Sequence, residues 1–302
     1  MVPFYIFYSM FGFQRVGDLL WQAGDSRTRG FLLGATAGRT TLLGEGLQHQ
    51  DGQSLVLATT NPVCQAYDPA FAYELATIVK HGIRRMYGGQ TNDADVFYYL
   101  ALYNENYPMP PIPSTPGIEE QIVQGLYRWQ PAADGPSKRA TVLFSGSAHS
   151  AARQAAAELA EHYDVGVELW SATSYKALRD EALGVERWNR LHPSQSARTP
   201  LLTRLLADAP GPIVAVTDFM KLVPEQIARF VHDRPFVPLG TDGFGRSDTR
   251  EALRRHFEVD APHVVVAVLH ALAELGEVKS EAVADAIARY GIDPDAPNPA
   301  GG

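Results

Sequence analysis

Short apolar runs alternate with amphipathic segments through most of this chain, and that alternation constrains the fold more than any other feature. The predicted strands of the second half are short apolar runs, at residues 140–144, 166–170, 213–217 and 236–239. The predicted helices have apolar residues at helical spacing, at residues 151–163, 224–231, 248–257, 263–275 and 280–290. Asp248 is predicted to cap the helix at residues 248–257, with Glu251 three residues on. Strands that alternate with helices are typical of parallel sheets, so we predict an α/β fold with a parallel or mixed sheet.

The first half has the same order with fewer elements. Residues 54–58 are predicted as a buried strand, residues 69–87 as a helix with Asp68 as its N-cap, and residues 96–103 as an aromatic strand. An aromatic strand opens the chain, and no strand precedes it as a partner. We therefore expect a sheet that is incomplete on this side.

A small, polar segment with proline and glycine, residues 131–137, is typical of a linker. It divides the chain into a first domain at residues 1–130 and a second domain at residues 138–302. A proline cluster at residues 108–116 precedes it and predicts an extended crossing.

Composition excludes several classes of function. The chain has 302 residues and a net charge of -8, which disfavours nucleic acids and anionic membranes as partners. The apolar run at residues 264–269 is interrupted by His270 and cannot span a bilayer. A single cysteine, Cys64, has no partner for an internal disulfide and no metal-spaced neighbour, so we expect a buried thiol in a reducing, cytoplasmic compartment.

Two dense blocks predict a site near the start of the chain. Residues 8–18 combine aromatic rings with glutamine, arginine and aspartate, and residues 38–52 form a glycine-rich segment that contains Gln48-His49. The spacing between the blocks leaves room for a short helix and a strand before the chain returns to the same sheet edge. Glycines at positions 38, 44 and 46 would let the backbone approach a ligand closely. A cofactor pocket is therefore more consistent with these blocks than a plain core.

Both blocks resemble the pyrimidine-binding region of thiamine-diphosphate enzymes, and more narrowly that of the homodimeric, acetyl-transferring pyruvate dehydrogenases. The resemblance continues through further motifs, at residues 60–70, 103–110, 186–189 and 239–248. Family members are several times longer, so the chain resembles the C-terminal third of one. This implies the end of a pyrimidine-binding domain followed by a transketolase-like C-terminal domain.

The resemblance also implies a reaction and its partners. Pyruvate would undergo oxidative decarboxylation with thiamine diphosphate and Mg²⁺, and the acetyl group would pass to a lipoylated dihydrolipoyl acetyltransferase. The full-length form would be a homodimer. The family's Gly-Asp-Gly magnesium motif and its activating glutamate have no match here, so no metal ligand is assigned, and the isolated chain is expected to be inactive.

By resemblance, Phe11 stacks on the aminopyrimidine ring, Tyr8 lines the same pocket, and His49 is a catalytic residue that faces the substrate. Taken alone, Tyr8 and Phe11 would more often be a core aromatic pair, and a loop histidine would more often be a surface residue. The motif match favours the cofactor site. Histidine ordinarily titrates near neutral pH, which would suit His49 to moving protons there.

Other residues favour structural interpretations. Arg39 and Glu45 are as readily a surface ion pair as site residues. His149 follows an ordinary strand-to-helix turn and is left without a role, and residues 241–245 are interpreted as turn geometry and domain packing.

Two alternative functions stay open. The chain could belong to another transketolase-like enzyme that acts on a different 2-oxo acid or a sugar. It could also be a non-catalytic fragment that dimerises or binds the complex.

Overall fold

A computed structural model of the chain describes residues 1–89 and 93–301. Residues 90–92 of the predicted first domain and residue 302 of the predicted second domain lie outside the described residues. The described residues form two sheets, and neighbouring strands run parallel except at one edge. The predicted α/β class, with parallel and mixed sheets, is confirmed.

The first sheet has the strand order β1-β2-β4-β3, and its paired strands are parallel. Its strands are β1 (Phe4–Tyr8), β2 (Gly30–Ala35), β3 (Cys64–Tyr67) and β4 (Phe97–Leu102). The predicted aromatic strand is β4, which lies inside the sheet and carries the fully buried Tyr98 and Tyr99. At the edge, β1 pairs only with β2 among the described residues, and most of its side chains are exposed.

The second sheet has the order β5-β7-β6-β8-β9, in which only the edge strand β5 is antiparallel to its neighbour among the described strands. Its strands are β5 (Tyr127–Gln130), β6 (Lys138–Phe144), β7 (Val165–Ser171), β8 (Ile213–Val216) and β9 (Phe236–Leu239). Every residue of β7 and β8 is buried, as expected for strands covered on both faces. The four strands predicted for this half are confirmed.

Helices pack around both sheets. Those of the first half are α1 (Phe13–Asp25), α2 (Ser54–Thr60), α3 (Ala72–Tyr87) and α4 (Ile118–Gln124). Those of the second half are α5 (His149–His162), α6 (Tyr175–Leu191), α7 (Leu201–Leu205), α8 (Leu222–Glu225), α9 (Arg250–His256), α10 (Ala261–Glu274) and α11 (Ser280–Arg289). Short 3-10 turns occur at Ser9–Phe11, Gly146–Ala148, Ala228–Phe230 and Pro299–Gly301.

The predicted strand at residues 54–58 is wrong, because these residues begin helix α2. The Asp51 carboxylate accepts hydrogen bonds from the backbone N–H groups of Gln53 (3.0 Å) and Ser54 (2.9 Å), which caps the helix. A short apolar run does not distinguish a buried strand from a buried helix. The strand of this unit is β3 instead, and it pairs with β4.

Two predicted helix caps are also wrong. Helix α3 begins at Ala72, and its first turn is closed by Glu74, whose carboxylate accepts from the backbone N–H groups of Ala70 (2.6 Å) and Phe71 (3.0 Å). Asp68 points across to the second half instead. At α9, Thr249 rather than Asp248 caps the helix, accepting from the N–H of Ala252 at 3.3 Å.

The helix predicted at residues 224–231 is broken into α8 and a 3-10 turn. The predicted linker lies between β5 and β6, and both of these strands belong to the second sheet. Residues 127–130 of the predicted first domain therefore pair with the second half. Residues 108–115 have no regular secondary structure, as the proline cluster predicts.

The two halves meet along a seam, which we define by Asp68, Tyr103, Ser145 and Asp218. These residues follow the carboxyl ends of β3, β4, β6 and β8. Backbone hydrogen bonds cross the seam, from the N–H of Asp68 to the carbonyl of Thr173 (2.8 Å) and from the N–H of Gly146 to the carbonyl of Asp68 (3.2 Å). One apolar core also includes side chains of both halves, so the halves pack as one body.

Candidate functional site

Tyr8, Phe11 and His49 form a cluster at the carboxyl end of β1, which we call the aromatic trio. Tyr8 ends the strand, Phe11 ends the 3-10 turn that follows, and His49 lies in the loop of residues 36–53. Ring centroids are 5.8 Å apart for Tyr8 and Phe11, 5.5 Å for Tyr8 and His49, and 5.2 Å for Phe11 and His49. The fold therefore brings together the three residues predicted from two separate blocks.

The trio is open to solvent on one side. Tyr8 is 44% exposed, and Phe11 and His49 are half-buried. The Arg15 guanidinium lies 4.5 Å from the centroid of the Phe11 ring, within range of a cation–π contact. The rings thus present a partly exposed aromatic surface with one cation beside it.

The backbone conformation of the glycine-rich loop accounts for its glycines, and no ligand is needed to explain them. Gly38, Gly44 and Gly46 all have positive φ values, which side chains rarely tolerate. A Cβ atom at Gly38 would lie 2.2 Å from the Asp218 carboxylate, and the carbonyl of Gly46 accepts the His49 N–H at 3.2 Å. These residues shape the turn that presents His49.

Polar contacts of the His49 ring are few. Its Nδ1 atom lies 3.8 Å from the Glu45 carboxylate, which is beyond hydrogen-bonding range, and this buried atom has no hydrogen-bond partner. The orientation of the His49 ring therefore depends on its contacts with Tyr8 and Phe11 and not on a hydrogen bond at Nδ1.

A buried polar network lies next to the trio and connects its two segments. The Ser9 hydroxyl donates to the Asp51 carboxylate and lies 2.8 Å from the Tyr99 hydroxyl. All three residues are fully buried. Ser9 directly follows Tyr8, and Asp51 is the second residue after His49, so this network joins the two blocks next to the trio.

The second half holds the other side of the His49 loop. The Asp218 carboxylate accepts from the backbone N–H groups of Arg39 (3.3 Å) and Thr40 (3.0 Å). The Gln50 amide accepts from the N–H of Arg246 at 2.8 Å and donates to its carbonyl at 2.9 Å. Gln50 therefore binds the Arg246 backbone as a neighbouring strand would, and the loop is fixed from both halves.

Arg39 is buried, so the interpretation of Arg39 and Glu45 as a surface ion pair is wrong. The Arg39 guanidinium donates to the Thr241 carbonyl and to the Gln53 amide oxygen (3.2 Å). Burial lowers the pKa of Arg39, and the charge of the nearby Asp51 is the largest opposing effect. Thr241 is buried and accepts this bond across the two halves, which confirms that the turn at residues 241–245 serves domain packing.

Sequence reasoning missed the carboxyl groups of the seam. Asp68 accepts from the hydroxyls of Tyr103 and Ser145 (2.6 Å), and burial raises its pKa from 3.8 to about 7. Burial also raises the pKa of Asp218 from 3.8 to about 6. The available signal was their position directly after apolar strands, where the carboxyl ends of parallel strands collect functional groups.

A third buried carboxyl, Glu74, bridges α3 and the second sheet. It accepts from the hydroxyls of Tyr127 on β5 and Ser171 on β7, both at 2.6 Å. Burial raises the pKa of Glu74. The seam and its flank therefore contain buried acidic groups from both halves, which accept hydrogen bonds from hydroxyl donors.

His149 and Cys64 are both buried. The His149 ring lies 4.4 Å from Tyr107 and 5.1 Å from Phe71 between centroids, and its nitrogens have no hydrogen-bond partner. Burial lowers the pKa of His149 to about 4, so it is neutral at pH 7. The predicted buried thiol is confirmed, because Cys64 begins β3 and burial raises its pKa.

Within residues 1–89 and 93–301, no group of three or more histidine, cysteine, aspartate or glutamate side chains is placed to hold a metal ion. In the same residues, no helix is both long enough and apolar enough to cross a bilayer.

The trio fits the pyrimidine end of thiamine diphosphate. A flat heteroaromatic ring can stack on the exposed aromatic face of the trio. The diphosphate end needs cations, and beside the trio Arg15 lies over Phe11 while Glu45, of opposite charge, lies near His49. The described residues therefore fit one end of this cofactor.

Family models match the two halves separately. The model for the pyruvate dehydrogenase E1 component middle domain matches residues 1–110, and that for the transketolase-like C-terminal domain matches residues 125–260. The pyruvate dehydrogenase E1 component of Pseudomonas aeruginosa is 50% identical over 299 residues, which cover 99% of this chain and 33% of that protein. The protein of the same name from Escherichia coli K12 is 51% identical with the same coverage. The chain thus spans about a third of the length of these curated relatives.

Solved structures show the same fold at low sequence identity. The transketolase from Leishmania mexicana superposes with a TM-score of 0.65 at 19% identity, covering 91% of this chain and 34% of that one. A split-gene transketolase described as an inactive beta4 tetramer has a TM-score of 0.61 at 18% identity, covering 90% of this chain and 76% of that one. At these identities the likeness concerns the fold alone.

Proposed function

This chain belongs to the family of pyruvate dehydrogenase E1 components, and we propose that it supplies the pyrimidine side of a thiamine-diphosphate site for the oxidative decarboxylation of pyruvate. The observation that carries the proposal is the aromatic trio at the carboxyl end of β1. In α/β folds, the carboxyl ends of parallel strands are where ligands bind.

Each residue of the trio has a distinct role in the proposal. Phe11 stacks on the aminopyrimidine ring, and Tyr8 packs against its edge. His49 faces the substrate, where its imidazole can hold or move a proton. Bound thiamine diphosphate supplies the nucleophile and the electron sink, while the protein positions and polarises it.

The proposal assigns no diphosphate or Mg²⁺ ligand to this chain. Those groups, and the group that activates the pyrimidine, would come from the remaining two thirds of a full-length relative or its counterpart. We therefore expect the purified chain to show no saturable binding of thiamine diphosphate with Mg²⁺ at micromolar concentrations in calorimetry. Tight stoichiometric binding would contradict this assignment of roles.

We also propose an acceptor for the acetyl group, a compartment and an oligomeric state. The acetyl group would pass to the lipoyl group of a dihydrolipoyl acetyltransferase, in the cytoplasm, with the E1 component as a homodimer. A chain with a net charge of -8 has no general attraction for the cofactor's diphosphate, so specific ligands are needed.

A second candidate function is association without catalysis. The exposed apolar side chains of β1 and α1 favour it, since they include Tyr5 (65% exposed) and Leu19 (59%). A chain that only dimerises or binds the complex would need this surface and not the chemistry of His49.

A chimera tests the catalytic proposal. This chain would replace the matching third of the E. coli E1 component, to which it is 51% identical. We expect pyruvate-dependent acetylation of lipoyl groups. Phe11→Ala should weaken cofactor binding by about 1–2 kcal/mol, which is roughly 5- to 30-fold in the dissociation constant. His49→Ala should mainly lower kcat.

Matched controls separate site effects from general damage. Trp188→Ala removes another aromatic ring that has an arginine over its face, with Arg198 at 3.7 Å, and His270→Ala removes an exposed histidine of α10. Both controls should leave kcat and cofactor affinity unchanged. Unchanged cofactor affinity in Phe11→Ala together with unchanged turnover in His49→Ala would show that the site is misassigned. A folded chimera without activity would favour the association function.

A further inference from the structure

The two segments that carry the trio have little regular structure of their own. Phe11 ends a single 3-10 turn, and His49 lies in a loop that contains one isolated bridge, between Gly38 and Asp51. Because neither segment is a long helix or a central strand, the distance between the Phe11 and His49 rings depends on side-chain contacts that join the segments.

Ser9 makes the contact on the Phe11 side. It lies between Tyr8 and Phe11 in the sequence. Its side chain is fully buried, and its hydroxyl donates to Asp51. Its own carbonyl accepts from the Ser54 hydroxyl at 3.2 Å. The turn is thus bonded to the end of the His49 loop through its side chain and to the start of α2 through its backbone.

Asp51 divides its carboxylate between two tasks. One oxygen, Oδ1, accepts from the backbone N–H groups of Gln53 and Ser54 and fixes the start of α2. The other oxygen, Oδ2, accepts from Ser9. The capped helix therefore holds Asp51 rigidly, and Asp51 in turn holds Ser9, the neighbour of Tyr8.

We infer that Ser9 and Asp51 are positioning residues, which set the separation between the His49 ring and the Phe11 ring. Neither residue belongs to the trio, and their effect passes through the backbone on either side of it. The inference deepens the proposed function, on which its catalytic consequence rests, but the geometric claim stands without any cofactor.

The chemistry of the pair predicts how substitutions act. Ser9→Ala leaves a buried carboxylate oxygen of Asp51 without its donor, and because that state is costly the loop should shift to reach water. Asp51→Asn keeps an oxygen for the helix cap, and its amide can donate to the Ser9 hydroxyl, which then donates to Tyr99. Asp51→Asn should therefore preserve most of the geometry that Ser9→Ala disrupts.

Solution NMR of the 302-residue chain tests the geometry directly. The chain contains nine histidines, and a His49→Gln variant assigns the His49 ring signals. In the natural sequence we expect ring-to-ring contacts from His49 to Phe11 and Tyr8. Ser9→Ala should weaken these contacts and move the His49 signals, while Asp51→Asn should retain most of them.

Ser174→Ala is the matched control. Ser174, like Ser9, is a buried serine. Its hydroxyl accepts the backbone N–H of Ala177 at 3.1 Å, at the start of α6, and donates to the Ala66 carbonyl at 2.6 Å. Its replacement should cost stability without moving the His49 signals. Unchanged His49 signals in Ser9→Ala would overturn the inference, and so would equal changes in Ser9→Ala and Ser174→Ala. If Ser9→Ala does not fold, a folded Asp51→Ala variant in which the His49 contacts to Phe11 and Tyr8 are unchanged would overturn the inference.

The chimera adds a kinetic measurement. Ser9→Ala should lower kcat by about tenfold or more, since misplacement by about 1 Å costs that much or more, whereas KM should change by less than about twofold. Asp51→Asn should recover most of that activity. An inactive chimera would refute the proposed function and leave the NMR result to decide the positioning role.

Discussion

The two sheets of this protein are both built mainly of parallel strands but differ in how completely they are covered. In the second sheet β7 and β8 are buried along their whole length, between α5 and α10 on one side and α6, α7 and side chains of the first half on the other. In the first sheet the edge strand β1 exposes Phe4, Tyr5, Ile6 and Tyr8. The first half therefore shares one of its two main cores with the second half and leaves an apolar edge uncovered, whereas the strands of the second sheet are covered on both faces.

The largest expected effect is on folding of the separated halves. A fragment of residues 125–302 should unfold cooperatively, because it contains the whole second sheet including β5. The predicted domain of residues 138–302 lacks β5, and its melting temperature should be lower. Residues 1–124 alone should not melt cooperatively, because one of their two main cores is shared with the second half.

Circular dichroism melts of the three fragments check this prediction. A higher melting temperature for residues 138–302 than for 125–302 would mean that β5 belongs energetically to the first half. A cooperative melt of residues 1–124 would remove the contrast between the halves.

The next largest effect is on the free energy of unfolding, which should depend on pH through Asp68 of the seam. The pKa of Asp68 is about 7 in the folded chain and ordinarily 3.8, so the folded state binds more protons between these values. This contribution to stability is complete below about pH 4 and is lost as the pH rises through about 7. A shift of about 3 units corresponds to about 4 kcal/mol at most.

Urea unfolding at pH 5 and pH 8 measures this effect. The natural sequence should be less stable at pH 8, and Asp68→Asn should reduce the difference because the amide resembles the protonated carboxyl. Asp285→Asn, on the exposed face of α11, is the control and should leave the pH difference unchanged. An equal pH difference in Asp68→Asn and the natural sequence would place the titrating group elsewhere.

The smallest effect concerns the open edge. Ile6 is 63% exposed on β1, and Ile6→Lys places a charge where another chain could pair. We expect the dissociation constant for self-association to rise about tenfold, which is about 1.4 kcal/mol. Sedimentation at several concentrations measures it.

Leu275→Lys, at an exposed position after α10, is the matched control in the second half. It should leave self-association unchanged. An equal response to both substitutions would mean that association reflects net charge and not the β1 edge.

Some features followed from local sequence because they depend on local physics. The buried strands β6, β7 and β8 were predictable, since continuous apolar runs between turn residues have few other stable arrangements. The aromatic trio was predictable only by resemblance, since composition alone favoured a core pair for Tyr8 and Phe11. The structure adds that these rings contact His49.

Other features were decided by the tertiary structure. The run at residues 54–58 is a helix because the Asp51 carboxylate supplies its cap. Asp68 does not cap α3 as predicted. Its carboxyl instead accepts hydrogen bonds at the seam, from the hydroxyl of Tyr103 after β4 and from the hydroxyl of Ser145 in the second half.

The α/β class, the alternation of strands and helices, and the residues that could form an aromatic site all follow from the sequence alone. How the His49 loop is held depends on the packed fold, through contacts of Asp218 and Arg246 from the second half and of Ser9 from the first. The two kinds of feature differ in the range of the forces that set them. Periodicity and helix propensity act between near neighbours in the chain, whereas a buried carboxyl or amide takes whichever partner the packed fold brings within hydrogen-bonding distance.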